Sequence, residues 1–172
     1  MPYANVYKGN SYYITWILKG VHALKLSTRG RYGIKAMVDL AVKYGRGPVS
    51  ASSLASLQGI SLPYLEQLIA SLRRAKLIDS VRGAQGGYTL AREPSSITVG
   101  EILRALEGST TLIDCVGYEN SNCDNACTCS ARPLWLKLQN GINTVLNETT
   151  IKDMADDYTK QKRRLNDEKN IS

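Results

Sequence analysis

The chain has 172 residues, a hydrophobic content of 43% and a formal net charge of +7. It is long enough to bury one sizeable core, or a smaller core together with an oligomer interface. No apolar run approaches the roughly 20 residues that a membrane-spanning helix needs, so we expect no membrane association.

The charge is unevenly distributed along the chain. Residues 24–92 contain 11 Lys and Arg against 3 Asp and Glu, whereas residues 93–172 contain 9 against 12. A basic domain joined to a mildly acidic remainder is typical of a phosphate-binding module with a separate sensing or assembly half. A uniformly basic enzyme would not show this division.

Residues 1–23 differ from the sequence that follows. Their apolar and aromatic run, residues 12–18, is too short for a membrane span and lacks a small-residue cleavage site of the signal-peptide kind. We therefore expect residues 1–23 to be an extension outside the fold.

Three helices are predicted in the basic region. The first begins at Thr28 and ends near Gly45, and the second spans residues 51–57. The third begins at Ser61, a favourable N-cap residue, and runs to about Lys76. The second and third helices together form a helix-turn-helix.

The third helix is strongly amphipathic, and a glycine-rich hairpin follows it. Its apolar residues fall on one side at helical spacing, and polar residues occupy the other. Residues 78–82 and 88–92 are predicted to be two strands joined by the glycine-rich residues 83–87. This order is typical of a winged helix-turn-helix, whose helix enters the major groove of DNA and whose wing reaches the minor groove. The apolar residues of the helix are Leu65, Leu68, Ile69 and Leu72.

The acidic remainder contains three further predicted helices or helical segments. Thr98 and Glu101 have the spacing of a capping box and begin a helix that ends at Gly108. After Pro133, a long apolar stripe predicts a helix that forms a dimer seam. A final helix is predicted over residues 150–161. The stripe consists of Leu134, Leu138, Ile142, Val145 and Leu146.

The sequence thus predicts a mainly α fold with a small β-hairpin wing. Residues 24–108 form the winged helix-turn-helix domain, and residues 109–132 form a cysteine-rich loop. Residues 133–161 form the dimerisation helix and the final helix, and residues 162–172 form a mobile polar tail.

Four cysteines, namely Cys115, Cys123, Cys127 and Cys129, fall within 15 residues. With no secretory signal predicted, a metal or redox role in the reducing cytoplasm fits better than structural disulfides. Zinc is one candidate, although the Cys127-x-Cys129 pair lacks the usual two-residue zinc spacing. A small thiol oxidoreductase is an alternative, but its Cys-x-x-Cys motif and a catalytic histidine are missing, so we predict no catalysis.

Three motifs, LKLSTRGRYG at 24–33, GISLPYLEQL at 59–68 and SVRGAQGGY at 80–88, resemble the Rrf2 family of bacterial transcription regulators. The resemblance extends from Leu24 to about Tyr158. It implies a homodimer that binds a pseudo-palindromic operator in double-stranded DNA, with a long helix crossing to the partner subunit. It also implies a [2Fe-2S] cluster that sets which promoters are bound, so that the protein represses cluster-assembly genes.

The family likeness also assigns individual residues to DNA. Ser61, Tyr64, Glu66 and Gln67 of the recognition helix would face DNA, and Arg82 would enter the minor groove. Physical chemistry agrees for most of them, because Gln67 can read a base edge and an arginine is attracted to the negative minor groove. Glu66 near phosphates is a penalty unless a cytosine amino group compensates it, so it can exclude wrong sites.

The cysteine spacing supplies three of the four ligands that family members with a cluster use. Cys115, Cys123 and Cys129 match the three family cysteines, whereas Arg132 stands where those relatives have a histidine. A guanidinium stays protonated and cannot bind iron. Cysteine-metabolism regulators of the same family usually lack the cysteine cluster. The fourth ligand is left open among Cys127, Asp114, Glu119, Asp124 and a group from the partner subunit.

Overall fold

The computed structural model describes residues 26–83, 85–111, 116 and 128–171. Within these ranges the chain is mainly helical with one two-stranded antiparallel sheet, which confirms the predicted fold class. The elements, in chain order, are α1 (Thr28–Val42), α2 (Ala51–Gln58), α3 (Leu62–Arg74), β1 (Ile78–Val81), β2 (Gly87–Leu90), a 3-10 turn (Pro94–Ser96), α4 (Val99–Glu107), α5 (Arg132–Glu148) and α6 (Ile151–Ile171).

The first three helices begin at serine residues, as their sequences favour. The Ser27 hydroxyl accepts a hydrogen bond from Gly30 N–H at 3.0 Å, and Ser50 caps α2 in the same way. Ser61 occupies the N-cap position of α3, but its side chain makes no capping hydrogen bond. Gly59 ends α2 in the left-handed conformation, with φ of 62°, and so turns the chain sharply into α3.

One hydrophobic core contains residues from all four helices α1, α2, α3 and α4 and from the hairpin. Met37, Leu54 and Leu65 are fully buried within it, as is Ile102 of α4. Helices α1 and α4 approach closely at Gly33, which has no side chain. A Cβ at this position would lie only 2.1 Å from a methyl group of Leu106. This contact packs α1 tightly against α4.

The hairpin is attached directly to the helix-turn-helix. Val49, just before α2, exchanges two backbone hydrogen bonds with Tyr88 of β2, at 2.9 and 2.8 Å. Gly87 permits this approach, because a Cβ there would lie 2.3 Å from the Val49 carbonyl oxygen. The strands are slightly shorter than predicted, so that Arg82 and Arg92 lie beyond their ends.

The C-terminal helix corrects one prediction. The sequence predicts a helix that ends at residue 161 and a mobile tail over 162–172, but α6 continues without a break to Ile171. Helix α6 contains no glycine or proline, and charges near its start pair along the helix, as in the 2.7 Å ion pair between Lys152 and Asp156. No helix among the described residues is long and apolar enough to cross a bilayer.

Candidate DNA-binding surface and cysteine segment

Helix α3 separates a fully buried face from an exposed polar face. Glu66 and Gln67 both lie on the exposed face. Among the described residues, neither side chain takes part in a hydrogen bond or an ion pair. Both are therefore available to an outside partner, and their assignment to DNA stays a prediction. The buried apolar residues are the predicted ones, Leu65, Leu68, Ile69 and Leu72, and the polar Ser71 is buried beside them.

Tyr64 has a different environment from the other predicted contact residues. Its ring is half-buried and meets the Tyr32 ring of α1 edge-on, with ring centroids 6.2 Å apart. The Lys35 ammonium lies 5.6 Å from the centre of the Tyr32 ring on the same side of α1. Tyr64 thus fastens the start of α3 to α1, a packing role that the sequence analysis did not assign to it.

A groove of about 490 Å³ separates the turn before α2 from the wing. Its lining includes the cations Lys43 and Arg46, Ser50 and Ser53 at the start of α2, and Gln85 of the wing. Two cations beside a helix N-terminus attract anions, so the groove suits a phosphate. The groove is not among the sequence-based predictions, although basic residues just before an N-cap serine indicate such a site.

Among the described residues, no ion pair involves Lys43, Arg46 or Arg82, although the Asp39 carboxyl lies near enough to Lys43 to be influenced by its charge. The ion pairs among the described residues lie elsewhere, between Arg92 and Glu101 and within α6. Arg82 follows β1 on the exposed wing, next to Gly83, whose φ of 119° turns the chain. The surface around α3 and the wing therefore keeps its positive charge for an outside partner.

One carboxyl group, Asp39, lies behind this surface between α1 and α2. Burial raises its pKa, and the hydrogen bond that Gln58 Nε2 donates to it offsets this only in part. Nearby lysines act in the same direction as that hydrogen bond. Asp39 thus links α1 to the end of α2.

Of the four cysteines, only Cys129 belongs to the described residues. It is half-buried, makes no disulfide, and its carbonyl accepts a hydrogen bond from the backbone N–H of Arg132 at 3.3 Å. Cys115, Cys123 and Cys127 lie outside the described residues. The described part contains no group of three or more potential metal ligands, so the metal site stays a prediction.

The two ends of the cysteine segment are both attached to α5. Gln139, the buried residue of α5, donates hydrogen bonds from Nε2 to the Thr110 carbonyl at 3.3 Å and to Asn143 Oδ1 at 3.0 Å. Cys129 lies directly before the same helix.

Helix α5 leaves its predicted apolar stripe largely exposed. Leu134, Leu138 and Val145 are all open to solvent along the helix. A row of large apolar side chains on one face is typical of an interaction surface.

A comparison with protein families identifies the type of protein. Residues 26–157 match the Rrf2 family, described as "Iron-dependent Transcriptional regulator". The chain is 42% identical to the HTH-type transcriptional regulator CymR of Bacillus subtilis over 132 residues, covering 77% of this chain and 90% of the relative. It is 39% identical to the HTH-type transcriptional regulator IscR of Vibrio atlanticus over 134 residues, covering 78% of this chain and 76% of the relative.

Solved structures give the same result. The structure of CymR, described as the global cysteine regulator of B. subtilis, aligns with a TM-score of 0.67 and 42% identity, covering 78% of this chain and 98% of that one. A structure of IscR from T. potens aligns with a TM-score of 0.65 and 48% identity, covering 81% of this chain and 91% of that one. The chain is thus similarly close, in sequence and in structure, to CymR and to IscR.

Proposed function

The chain belongs to the Rrf2 family of transcription regulators, and on this basis we propose that it is an iron–sulfur cluster-responsive regulator. It acts in the cytoplasm as a homodimer on a pseudo-palindromic operator, and it represses cluster-assembly genes. The observation that carries the proposal is the group of four cysteines within 15 residues, placed between α4 and α5. Relatives that regulate cysteine metabolism usually lack this group.

Two features of the described surface support the DNA-binding half of the proposal. The exposed face of α3 places Glu66 and Gln67 where they can contact base edges. Ser61, at the start of the helix, can hold a phosphate. Arg82 on the wing has no ion-pair partner among the described residues, and its positive charge is attracted to the narrow minor groove. Tyr64 contributes by holding the helix start in place and by the exposed part of its ring.

The apolar stripe of α5 supports the homodimer. A second copy of the same helix is the simplest partner for it, because two-fold symmetry places identical apolar stripes against each other. Two basic domains then face one operator together, which makes DNA binding strongly dependent on salt.

Cys115, Cys123 and Cys129 would hold a [2Fe-2S] cluster, which supplies one-electron redox chemistry when bound. Thiolates are the usual ligands of such clusters, and a weaker fourth donor makes a cluster more labile, which suits a sensor. Arg132 cannot be that donor, so Cys127, a carboxylate or a group from the partner subunit completes the set. Because both ends of the segment contact α5, loss of the cluster can change the dimer and hence the spacing of its DNA-binding halves.

The second candidate is a regulator of the same family that holds no cluster, or holds zinc. The similarity to CymR, together with the arginine at position 132, favours this alternative. Zinc would stabilise the segment without any redox response.

An anaerobic preparation of the full chain separates the two candidates. A coloured protein with visible absorption, bound iron and sulfide supports the cluster, whereas a colourless protein with zinc or no metal overturns it. Single alanine variants of the four cysteines then define the ligands. Variants at positions 115, 123 and 129 should lose the visible bands and the iron. Loss in Cys127→Ala as well would make that residue the fourth ligand.

A second measurement tests the wing. On an operator selected from random DNA by the full chain, Arg82→Ala should weaken binding by about 1 to 3 kcal/mol. The charge-matched control is Arg104→Ala on α4, where the arginine contacts Asn147 instead of the wing. Equal affinities of Arg82→Ala and the wild type would remove the wing from the DNA interface.

A further inference from the structure

Two arginines from distant parts of the chain converge on one hydroxyl group. Arg29, in the first turn of α1, donates from Nη2 to Ser71 Oγ at 2.5 Å, and Arg74, the last residue of α3, donates from Nη2 to the same oxygen at 3.1 Å. Both positive groups therefore lie within hydrogen-bonding distance of a single neutral atom.

No acidic side chain in the described part of the chain neutralises this pair. Glu107, which approaches the start of α1, instead accepts a hydrogen bond from the Ser27 hydroxyl at 2.7 Å. The contrast is Arg92, whose guanidinium pairs with Glu101 at 2.8 Å. Two guanidinium groups repel each other at this separation, so the arrangement favours a negative partner from outside.

An unsatisfied donor points in the same direction. Arg29 Nε is buried and has no hydrogen-bond partner, which is rare for a buried polar group and calls for an explanation. Nε and Nη2 form one edge of a guanidinium group, which is the edge that binds two oxygens of a phosphate side by side. In the free chain Ser71 occupies only half of that edge.

The pair lies on the same side of the recognition helix as Gln67. The Ser71 hydroxyl donates to the Gln67 carbonyl at 3.4 Å, and Arg74 lies one turn further along. At about 1.5 Å per residue, Arg74 is about 10 Å along the axis from Gln67. The major groove is about 12 Å wide, so a helix that places Gln67 at base edges brings the pair close to the sugar-phosphate backbone at the groove edge.

We propose that Arg29 and Arg74 jointly bind one DNA backbone phosphate at the C-terminal end of α3. The proposal rests on the DNA-binding function proposed above. Ser71 holds the two arginines together in the free protein. On binding, the Arg29 side chain turns outward, so that the phosphate supplies oxygens to both arginines and an acceptor to Arg29 Nε, which is buried in the free chain. Because phosphate contacts fix orientation and carry no sequence information, the pair sets how deeply α3 enters the groove.

The test uses the full chain and an operator that it selects from random DNA. Arg29→Gln and Arg74→Gln remove one charge each, and Arg163→Gln on the exposed side of α6 is the charge-matched control. Each of the two test variants should lower affinity about tenfold on every sequence. Each should also reduce the slope of log affinity against log salt by about 1 per subunit. The double variant should lose little more than either single variant, because both arginines bind the same phosphate.

Operators with single neutral methylphosphonate substitutions identify the contact directly. One position in each half-site should weaken the wild type but have no effect on Arg29→Gln or Arg74→Gln. The inference is wrong if every position affects the variants and the wild type equally, or if both variants behave like Arg163→Gln. Because Arg74 ends its helix, its variant keeps the test informative even if Arg29→Gln fails to fold.

A third experiment distinguishes a DNA phosphate from a free anion as the ligand of the two arginines. Inorganic phosphate is added to the DNA-free protein, and the arginine Nε–H signals are followed by NMR. Saturable binding at Arg29, without any methylphosphonate effect, would assign the pair to a free anion and overturn the proposal. Failure to select any preferred operator would instead count against the proposed function, which keeps the two failures distinct.

Discussion

Helices α3 and α5 both carry an apolar stripe, but only α3 covers its stripe within its own chain. Leu68 and Leu72 of α3 are completely buried, whereas Leu134 and Val145 of α5 are 53% and 62% exposed. The only residue that α5 buries is Gln139, which is polar. Helical spacing of apolar residues therefore shows that a face must be covered, but it does not show which chain covers it.

The two helices belong to parts of the molecule whose stability should depend differently on protein concentration. The core around α3 is complete in one subunit, so its stability should be a property of the single chain. In the proposed homodimer, the stripe of α5 gains its burial only on association, so its contribution should depend on protein concentration. The following predictions test this division.

The largest effect is expected from Leu68→Ala. Removing a fully buried leucine side chain leaves a cavity, which should lower the free energy of unfolding by about 2 to 5 kcal/mol. Urea denaturation at two protein concentrations measures the loss, which should be the same at both. The matched control is Leu57→Ala, because Leu57 is a leucine on the exposed side of α2 and should cost less than about 0.5 kcal/mol. A loss at Leu68 that changed with concentration would contradict a self-contained core.

The next effect is expected from Leu138→Asp on α5. A carboxylate in an apolar seam loses its hydration, which should weaken dimerisation by about 2 to 3 kcal/mol. Sedimentation should show a shift from dimer to monomer, while helical content stays close to that of the wild type. Asn140→Asp places the same charge at an exposed polar position of the same helix and should leave the dimer intact. A dimer that survives Leu138→Asp would move the interface away from this stripe.

Local signals in the sequence were sufficient to predict most of the elements. The capping box at the start of α4 is formed as predicted, since Thr98 Oγ1 accepts from Glu101 N–H at 3.3 Å and Glu101 Oε2 accepts from Thr98 N–H at 3.0 Å. The boundaries of α3 and the burial of its apolar face follow from Pro63 in the first turn and from helical spacing. These features depend on residues only a few positions apart.

The features that sequence analysis missed depend on contacts between distant residues. Tyr64 was assigned to DNA, but its packing against Tyr32 becomes visible only when α1 lies beside α3. The convergence of Arg29 and Arg74 has the same origin. The sequence predicts the end of α6 too early, because the polar segment 162–172 lacks an apolar stripe, although no residue in it breaks a helix.

A smaller effect is expected from Glu66→Ala on the exposed face of α3. Because a carboxylate beside phosphates is tolerated only where a base donor compensates it, its removal should relax discrimination between operators by about 1 to 2 kcal/mol. Affinities for the selected operator and for single-base variants measure the change. Unfolding stability should stay constant, in contrast to Leu68→Ala on the opposite face. Equal weakening on all sequences would make Glu66 an ordinary contact.

The smallest effect on stability is expected at Asp39, which lies in the part of the molecule whose core is complete within one chain. Burial raises the pKa of its carboxyl above the ordinary value of 3.8, despite the hydrogen bond from Gln58 and the nearby lysine charges. These charges are Lys35 on α1, Lys43 directly after α1 and Lys162 on α6. Ionisation therefore opposes folding, and the wild type loses stability as pH rises from 3.8 through the raised value. Asp39→Asn keeps an acceptor for Gln58 without the charge. It should be slightly more stable than the wild type at neutral pH and should lose this advantage in acid.

Asp153 provides a control of opposite sign for the same measurement. Hydrogen bonds from the side chain and backbone N–H of Thr150 lower the pKa of the Asp153 carboxyl, so ionisation there supports folding. Asp153→Asn should be less stable than the wild type at neutral pH, and the difference should vanish as pH falls through the lowered pKa. Urea denaturation of both variants between pH 3 and pH 7 compares the two directions. Asp39→Asn should give the same difference from the wild type at every protein concentration, since α1, α2 and α6 belong to one chain. A concentration-dependent difference would place Asp39 at the subunit interface instead.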